Sequence, residues 1–150
     1  MIALVQRVTN ASVRTQLPAR KRTINQGLLV LVCAMTGDTD RDVNWIANKV
    51  AGLRIFPDED QRMNRSIQDV DGQVLVVSQF TLAGDCTSGF RPSFIKAAHP
   101  VQGEAQYESL IEALRTVHGV NVETGVFGAS MEVTLVNSGP VTIWIDSRAS

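Results

Sequence analysis

The sequence predicts an α/β fold of one domain, in which a mixed, mostly antiparallel sheet curls into a barrel-like core with two main helices packed on it. Three observations lead there. A chain of 150 residues, 44% hydrophobic and 19% charged, has the size and composition of a single globular domain spanning residues 1–150. Strand-type apolar runs dominate, and two amphipathic helical patterns are inserted between them. A group of short strands closes the chain, an order that suits a mixed sheet covered by helices on one side.

Each element has its own reason. "IALVQRV" near the start and "GLLVLVCAM" at Gly27 to Met35 are β-type runs, and the second is too uniformly apolar to keep one face in water, so it predicts a central strand. From Thr39 to Arg54, Val43, Ile46, Ala47, Val50 and Leu53 recur at three- and four-residue spacing, with Asp38, Thr39 or Asp40 available as N-cap. That is an amphipathic helix. "GQVLVVSQFTL", Gly72 to Leu82, reads as another buried strand introduced by the turn pair Asp71-Gly72. A second helix is expected from about Gly103 to Val117, where Tyr107, Leu110, Ile111, Leu114 and Val117 form one stripe. "VNVET", "MEVTLV" and "VTIWID" then read as three short strands. The Asn137 to Pro140 segment "NSGP" lies between the last two and is, taken alone, most simply a hairpin turn, since proline is normally excluded from a sheet interior.

Composition narrows the function classes. No basic head followed by an apolar signal-peptide core opens the chain, and no stretch approaches the roughly 18 apolar residues of a membrane span, so a cytoplasmic protein with no membrane partner is expected. Cys33 and Cys86, one in an apolar run and one in a polar stretch, read as free thiols rather than a disulfide framework. A net charge of −1 argues against wholesale electrostatic attraction to nucleic acid. The local clusters, Arg20 to Arg22 with Arg14 nearby and Arg62 with Arg65, read as solvated loops or strand edges.

Candidate chemistry gathers at two places. Ser78, Gln79 and Thr81 lie at the C-terminal end of a buried strand, where ligands commonly bind in open sheets, although the same groups also suit strand capping. "GFRPSF" adds Arg91, Pro92 and Ser93. A thiol hydrolase would need Cys86 beside His99 or His118, but those histidines precede Pro100 and Gly119 and suit loop and helix-end roles better. No metal-ligand spacing is present, so no metal is expected, and no Gly-rich phosphate loop appears either.

Taken in order, "MIALVQRV", "GLLVLV", "RIFPDED" with "MN", "VLVVSQFTL", "RPSF", "TGVFGASMEV" and "NSGPVT" closely resemble the D-aminoacyl-tRNA deacylases, formerly called D-tyrosyl-tRNA deacylases, almost from end to end. The resemblance implies hydrolysis of the ester that joins a D-amino acid to the terminal adenosine of tRNA, and of mischarged glycyl-tRNA, by a homodimer without cofactor. It implies that the 3′ end of aminoacylated tRNA is the partner and that the active sites lie at the dimer interface. By that resemblance Ser78, Gln79, Phe80 and Thr81 form the catalytic segment. Backbone N–H groups at Phe80 and Thr81 would stabilise the oxyanion, and the substrate's ribose hydroxyl would assist the water. Gly139 and Pro140 correspond to a cis pair that enters the other subunit's site and rejects L-substrates. Arg7 corresponds to the arginine bracing that pair, and Phe127 and Met131 to residues beside the terminal adenine. Phe127 and Met131 are equally natural core residues, and an ion pair is the plainer reading of Arg7.

This chain departs from the pattern twice. "TQLPARKRTIN", residues 15–25, stands where a glycine-containing hairpin is expected, and Ser138 stands where an acidic residue is usual. Thr81 as a covalent nucleophile is the rival mechanism, weakened by the lack of a base beside it in sequence. An inactive tRNA-binding module and a thiol hydrolase are the rival functions.

Overall fold

Strand β3, Gly27–Cys33, is buried along both faces, and the sheet is built around it. Its alternate residues serve two different cores. Leu28, Val30 and Val32 point toward the helices, whereas Leu29 joins a second cluster on the opposite face, as the two-residue period of a strand requires. The computed structural model describes residues 1–149. The other elements are β1 (Ile2–Gln16), β2 (Ala19–Ile24), α1 (Asp40–Gly52), β4 (Phe56–Pro57), β5 (Met63–Arg65), β6 (Gln73–Ser78), α2 (Pro100–Thr116), β7 (Asn121–Thr124) and β8 (Met131–Asp146). A short 3₁₀ turn, Phe80–Ala83, follows β6.

The main sheet runs β2-β1-β3-β6-β7, with β8 on the other edge of β1. β3–β6 and β6–β7 are parallel, and every pair made by β1 is antiparallel. β1 is long enough to pair with β3 through its first half and with β2 through its second, while β8 follows it from Ile2 to Thr15. One face of the sheet packs Ala3, Val5, Val30, Val74 and Val76 against Val43, Ile46 and Val50 of α1 and Leu110 and Leu114 of α2. On the other face Val8, Ala11, Val13 and Ile24 meet Leu75 and Val77, with Met131, Val133 and Leu135 packed against them. The outer halves of β1 and β8 thus fold back over the sheet, giving the nearly closed, barrel-like α/β core with two helices that the sequence predicts.

Local chemistry explains the element boundaries. α1 begins at a capping box, in which Thr39 is the N-cap and the Asp42 carboxylate accepts from the Thr39 backbone N–H at 2.8 Å. α2 starts at Pro100, three residues before the predicted Gly103, because proline is preorganised for the first helical position and lacks only an N–H that would be unpaired there. β6 ends at Ser78 rather than continuing to Leu82, and the chain turns into the 3₁₀ segment instead. The small β4–β5 hairpin has no periodicity long enough to be read from sequence. "RKR" lies in β2, an exposed edge strand, and residues 15–25 form a hairpin after all, with Gln16 paired to Ala19 across Leu17-Pro18.

The expected hairpin at Asn137 to Pro140 is absent. "MEVTLV" and "VTIWID" do not pair with each other; they are the two halves of one strand, β8, and both lie along β1. Gln6 pairs with Thr142 and Val8 with Asn137, so two steps along β1 face five along β8. Ser138 to Val141 bulge out of the ladder, and Pro140 therefore costs no ladder hydrogen bond. Within the bulge the Gly139-Pro140 peptide is cis, as is Leu17-Pro18 at the β1–β2 turn, which the sequence reading did not anticipate.

Candidate active site

The parallel pair β3–β6 delivers Ser78 and Gln79 to one end of the sheet, where Gln79 N–H is tied to the Val32 carbonyl at 2.7 Å. The chain then turns sharply into Phe80–Ala83, closed by Leu82 N–H to the Gln79 carbonyl at 3.1 Å. Phe80 and Thr81 are the first residues of that turn, so their N–H groups have no acceptor within it. The Phe80 carbonyl is 3.5 Å from the buried Cys33 thiol, and burial raises that thiol's pKa so that it stays protonated as a donor. C=O and N–H point in opposite directions across a trans peptide, so the Thr81 N–H faces away from Cys33. Phe80 itself is 59% exposed, its ring set edge-on to Phe94 at 5.2 Å between centroids.

A groove of about 650 Å³ opens beside this turn, lined by Ser78, Gln79 and Phe80 on one side and Phe127 and Met131 on the other. Its volume is that of an ordinary small-ligand site. Phe127 is held from behind: its ring lies 5.8 Å from that of Tyr107, whose hydroxyl donates to the Val76 carbonyl at 2.9 Å. Gly103 of α2 leaves the space this needs, since a Cβ there would already sit 3.4 Å from the Phe127 ring. The groove is mostly apolar with a few convergent polar groups at one end. Such a shape suits a flat base and a polar ester beside it.

The Thr81 hydroxyl accepts a hydrogen bond from the Gln79 side-chain amide, which has no basic lone pair to offer. His99 sits at the N-cap position of α2 and lines the groove, whereas the sequence offered it only as a partner for Cys86 or in a loop or helix-end role. His118 follows the end of α2, and its carbonyl accepts from Gln68. Among the described residues, no cluster of three or more His, Cys, Asp or Glu could hold a metal ion. Among the described residues, no helix is long and apolar enough to cross a membrane.

Gly139 and Pro140 lie elsewhere in the chain. Thr142, beyond the bulge, shares a row of the sheet with Gln6, Leu29 and Leu75. Ser78 is three strands across and three residues farther along β6, a separation on the order of 15 Å at ordinary strand spacings. The bulge is nonetheless braced. Arg7 donates from Nε to the Ser138 carbonyl at 3.0 Å and from Nη1 to the Ile55 carbonyl at 2.6 Å, tying bulge to loop rather than making an ion pair. Of the residues singled out in sequence, Ser78 to Phe80, Phe127 and Met131 meet at the groove, with Thr81 on the adjoining turn. Arg7, Gly139 and Pro140 form a second assembly outside it.

Comparison with known proteins gives a consistent result. A family model described as D-Tyr-tRNA(Tyr) deacylase matches residues 4–146. The chain is 59% identical over 146 residues to the D-aminoacyl-tRNA deacylase of Dinoroseobacter shibae, covering 97% of this chain and 99% of that protein. It is 56% identical over 147 residues to the D-aminoacyl-tRNA deacylase of Paracoccus denitrificans, covering 98% and 97%. Among solved structures, one described as c-Myc DNA Unwinding Element Binding Protein superposes with a TM-score of 0.90 at 36% identity, over 97% of this chain and 98% of that one. A probable eukaryotic D-amino acid tRNA deacylase shares the fold, with a TM-score of 0.81 at 16% identity over 96% and 97%.

Proposed function

Since the chain belongs to the D-Tyr-tRNA(Tyr) deacylase family, we propose that it hydrolyses the ester bond of D-aminoacyl-tRNA in the cytoplasm, releasing the free D-amino acid and tRNA. The observation that carries this reading is the groove, where an apolar slot flanked by Phe127 and Met131 ends at the Ser78 to Thr81 turn. The terminal adenine lies against Phe127 and Met131. The ester carbonyl then reaches the turn, and water adds to its carbon. Negative charge builds on the carbonyl oxygen and is met by the N–H groups of Phe80 and Thr81, which are fixed in place before the reaction begins. Collapse of the intermediate expels the ribose oxygen. The neighbouring ribose hydroxyl of the substrate assists the water, a role that no protein base at Thr81 fills.

The chirality filter needs a second copy of the chain. Gly139 and Pro140 are remote from the groove of their own protomer, so they act on the partner's groove in a homodimer whose active sites lie at the interface. There the braced Gly139-Pro140 backbone occupies the space an L side chain would need, while the proton-sized substituent of a D-residue or of glycine is accepted. Rejection is steric and works only if the segment cannot yield. The hydrogen bonds of Arg7 to Ser138 and Ile55 supply that stiffness.

The test is release of amino acid from matched D- and L-aminoacyl-tRNA and from glycyl-tRNA. Turnover of the D- and glycyl-substrates with the L-substrate spared is the expected outcome. Tight tRNA binding without turnover of any of them would make the protein a binding module and overturn the proposal.

A further inference from the structure

Where β8 leaves the ladder, one side chain stands in for the missing backbone pairing. Asn137 is the last residue paired to β1 before the bulge, opposite Val8, and its carboxamide reaches across Ser138, Gly139 and Pro140 to Val141. Oδ1 accepts the Val141 N–H at 2.8 Å, and Nδ2 lies 3.3 Å from the Val141 carbonyl and 3.1 Å from Thr142 Oγ1. One amide thus meets both backbone groups of one residue, the reciprocal pattern that an opposing strand residue makes in an antiparallel ladder. Thr142 Oγ1 also accepts from Gln6 Nε2 at 3.3 Å, linking the clamp back to β1. Arg7, one residue on from Gln6, holds the same bulge at Ser138 from the other side.

From this geometry we infer that Asn137 is a positioning residue for substrate chirality: it closes the base of the Gly139-Pro140 bulge and fixes where that segment points. The inference rests on the reading of Gly139 and Pro140 as the chirality filter. The physical logic is direct. Between its ladder-paired ends, Asn137 and Thr142, a four-residue bulge held only by Arg7 at the Ser138 carbonyl can still hinge, whereas a further attachment at Val141 restrains it. The attachment is also specific to an amide. A carboxylate keeps the acceptor for the Val141 N–H but has no donor for the Val141 carbonyl or Thr142, and alanine has neither.

The experiment compares wild type, Asn137→Ala and Asn137→Asp for hydrolysis of D-, L- and glycyl-tRNA, with the thermal midpoint of each protein measured alongside. The D-over-L ratio of kcat/KM should fall about tenfold in Asn137→Ala, the upper end of what one hydrogen bond contributes. A smaller fall is expected in Asn137→Asp. Hydrolysis of glycyl-tRNA, which has no side chain to sort, should change far less than the ratio, and a merely structural role would instead lower all three substrates together. Should the alanine variant fail to fold, the aspartate variant alone decides the matter. A D-over-L ratio within twofold of wild type in the folded variants, or an equal loss on all substrates, overturns the inference. Failure of wild type itself to cleave D-aminoacyl-tRNA would instead fault the proposed activity, so the two outcomes are separable.

Discussion

Thr81 carries two groups that the proposed reaction uses differently. Its N–H is held by the backbone of the turn, while its hydroxyl is occupied by the Gln79 amide. Thr81→Ala keeps the first and deletes the second, so its kcat should stay within about tenfold of wild type, whereas loss of an essential nucleophile costs far more. Single-turnover kinetics decide between them, and a trapped aminoacyl-Thr81 ester would contradict the water mechanism. Cys86 is exposed and His118 lies beyond the end of α2, so Cys86→Ala and His118→Ala should leave the rate unchanged. A second residue reports through stability instead. The Ser147 hydroxyl and then the Thr39 backbone N–H hold the Asp42 carboxyl well below its ordinary value of 3.8, to about 2. Because the folded pKa is the lower one, the stabilisation is present above about pH 4 and is lost as pH falls toward 2. Thermal unfolding of Asp42→Asn should show a lower midpoint at pH 6 and a flatter decline between pH 4 and 2.

Elements whose identity is set by local pattern were legible in sequence, and those set by a distant partner were not. The stripe Val43, Ile46, Ala47, Val50 announces α1, and of the three caps the sequence offered, Asp38, Thr39 and Asp40, the structure uses Thr39. Nothing local to "MEVTLVNSGPVTIWID" says that both halves lie along β1 rather than on each other, because the register is written in Gln6 and Val8, more than 100 residues away. The same holds at the site. "SQFT" could be found by its place at a strand end, but Cys33 beneath Phe80, Tyr107 behind Phe127 and His99 at the groove are contacts between segments far apart in the chain. Two glycines test the packing of elements. A Cβ at Gly27 would fall 1.8 Å from the Gln73 carbonyl oxygen, where β3 and β6 pair. Gly27→Ala should therefore be among the most damaging single substitutions, costing at least about 3 kcal/mol by chemical denaturation. Gly139 has φ of +133°, and a Cβ there would meet Val141 Cγ2 at 2.8 Å and Arg7 Nη2 at 3.0 Å. Gly139→Ala should fold but lose activity on every substrate, since the bulge and its arginine brace must both shift.

The whole molecule is predicted to act as a pair, and mixing tests this without a structure of the dimer. A Gly139→Ala variant keeps an intact Ser78 to Thr81 turn, and a variant altered in that turn keeps an intact Gly139-Pro140 segment. If each site draws on both chains, random subunit exchange between two inactive variants should restore about one quarter of wild-type activity, half the dimers having one complete site each. No recovery after verified exchange would place both segments in one protomer's site. Net charge also acts at this scale: with a total of −1, and with Arg14 and Arg22 already paired to Glu132 and Glu123, few phosphates can be neutralised. The logarithm of tRNA affinity should consequently fall only gently with the logarithm of salt concentration, a slope measurable by filter binding. Ile2 pairs with Asp146, so the β1–β8 ladder joins segments that leave the ribosome far apart in time. During synthesis β1 is made well before β8, so its long edge is available to other chains until residues 131–146 have followed. Joining segments so distant is also entropically slow. A chain halted near residue 130 has β1 to β7 and both helices but lacks the strand that covers this edge, and it should associate with its own kind instead of remaining dispersed.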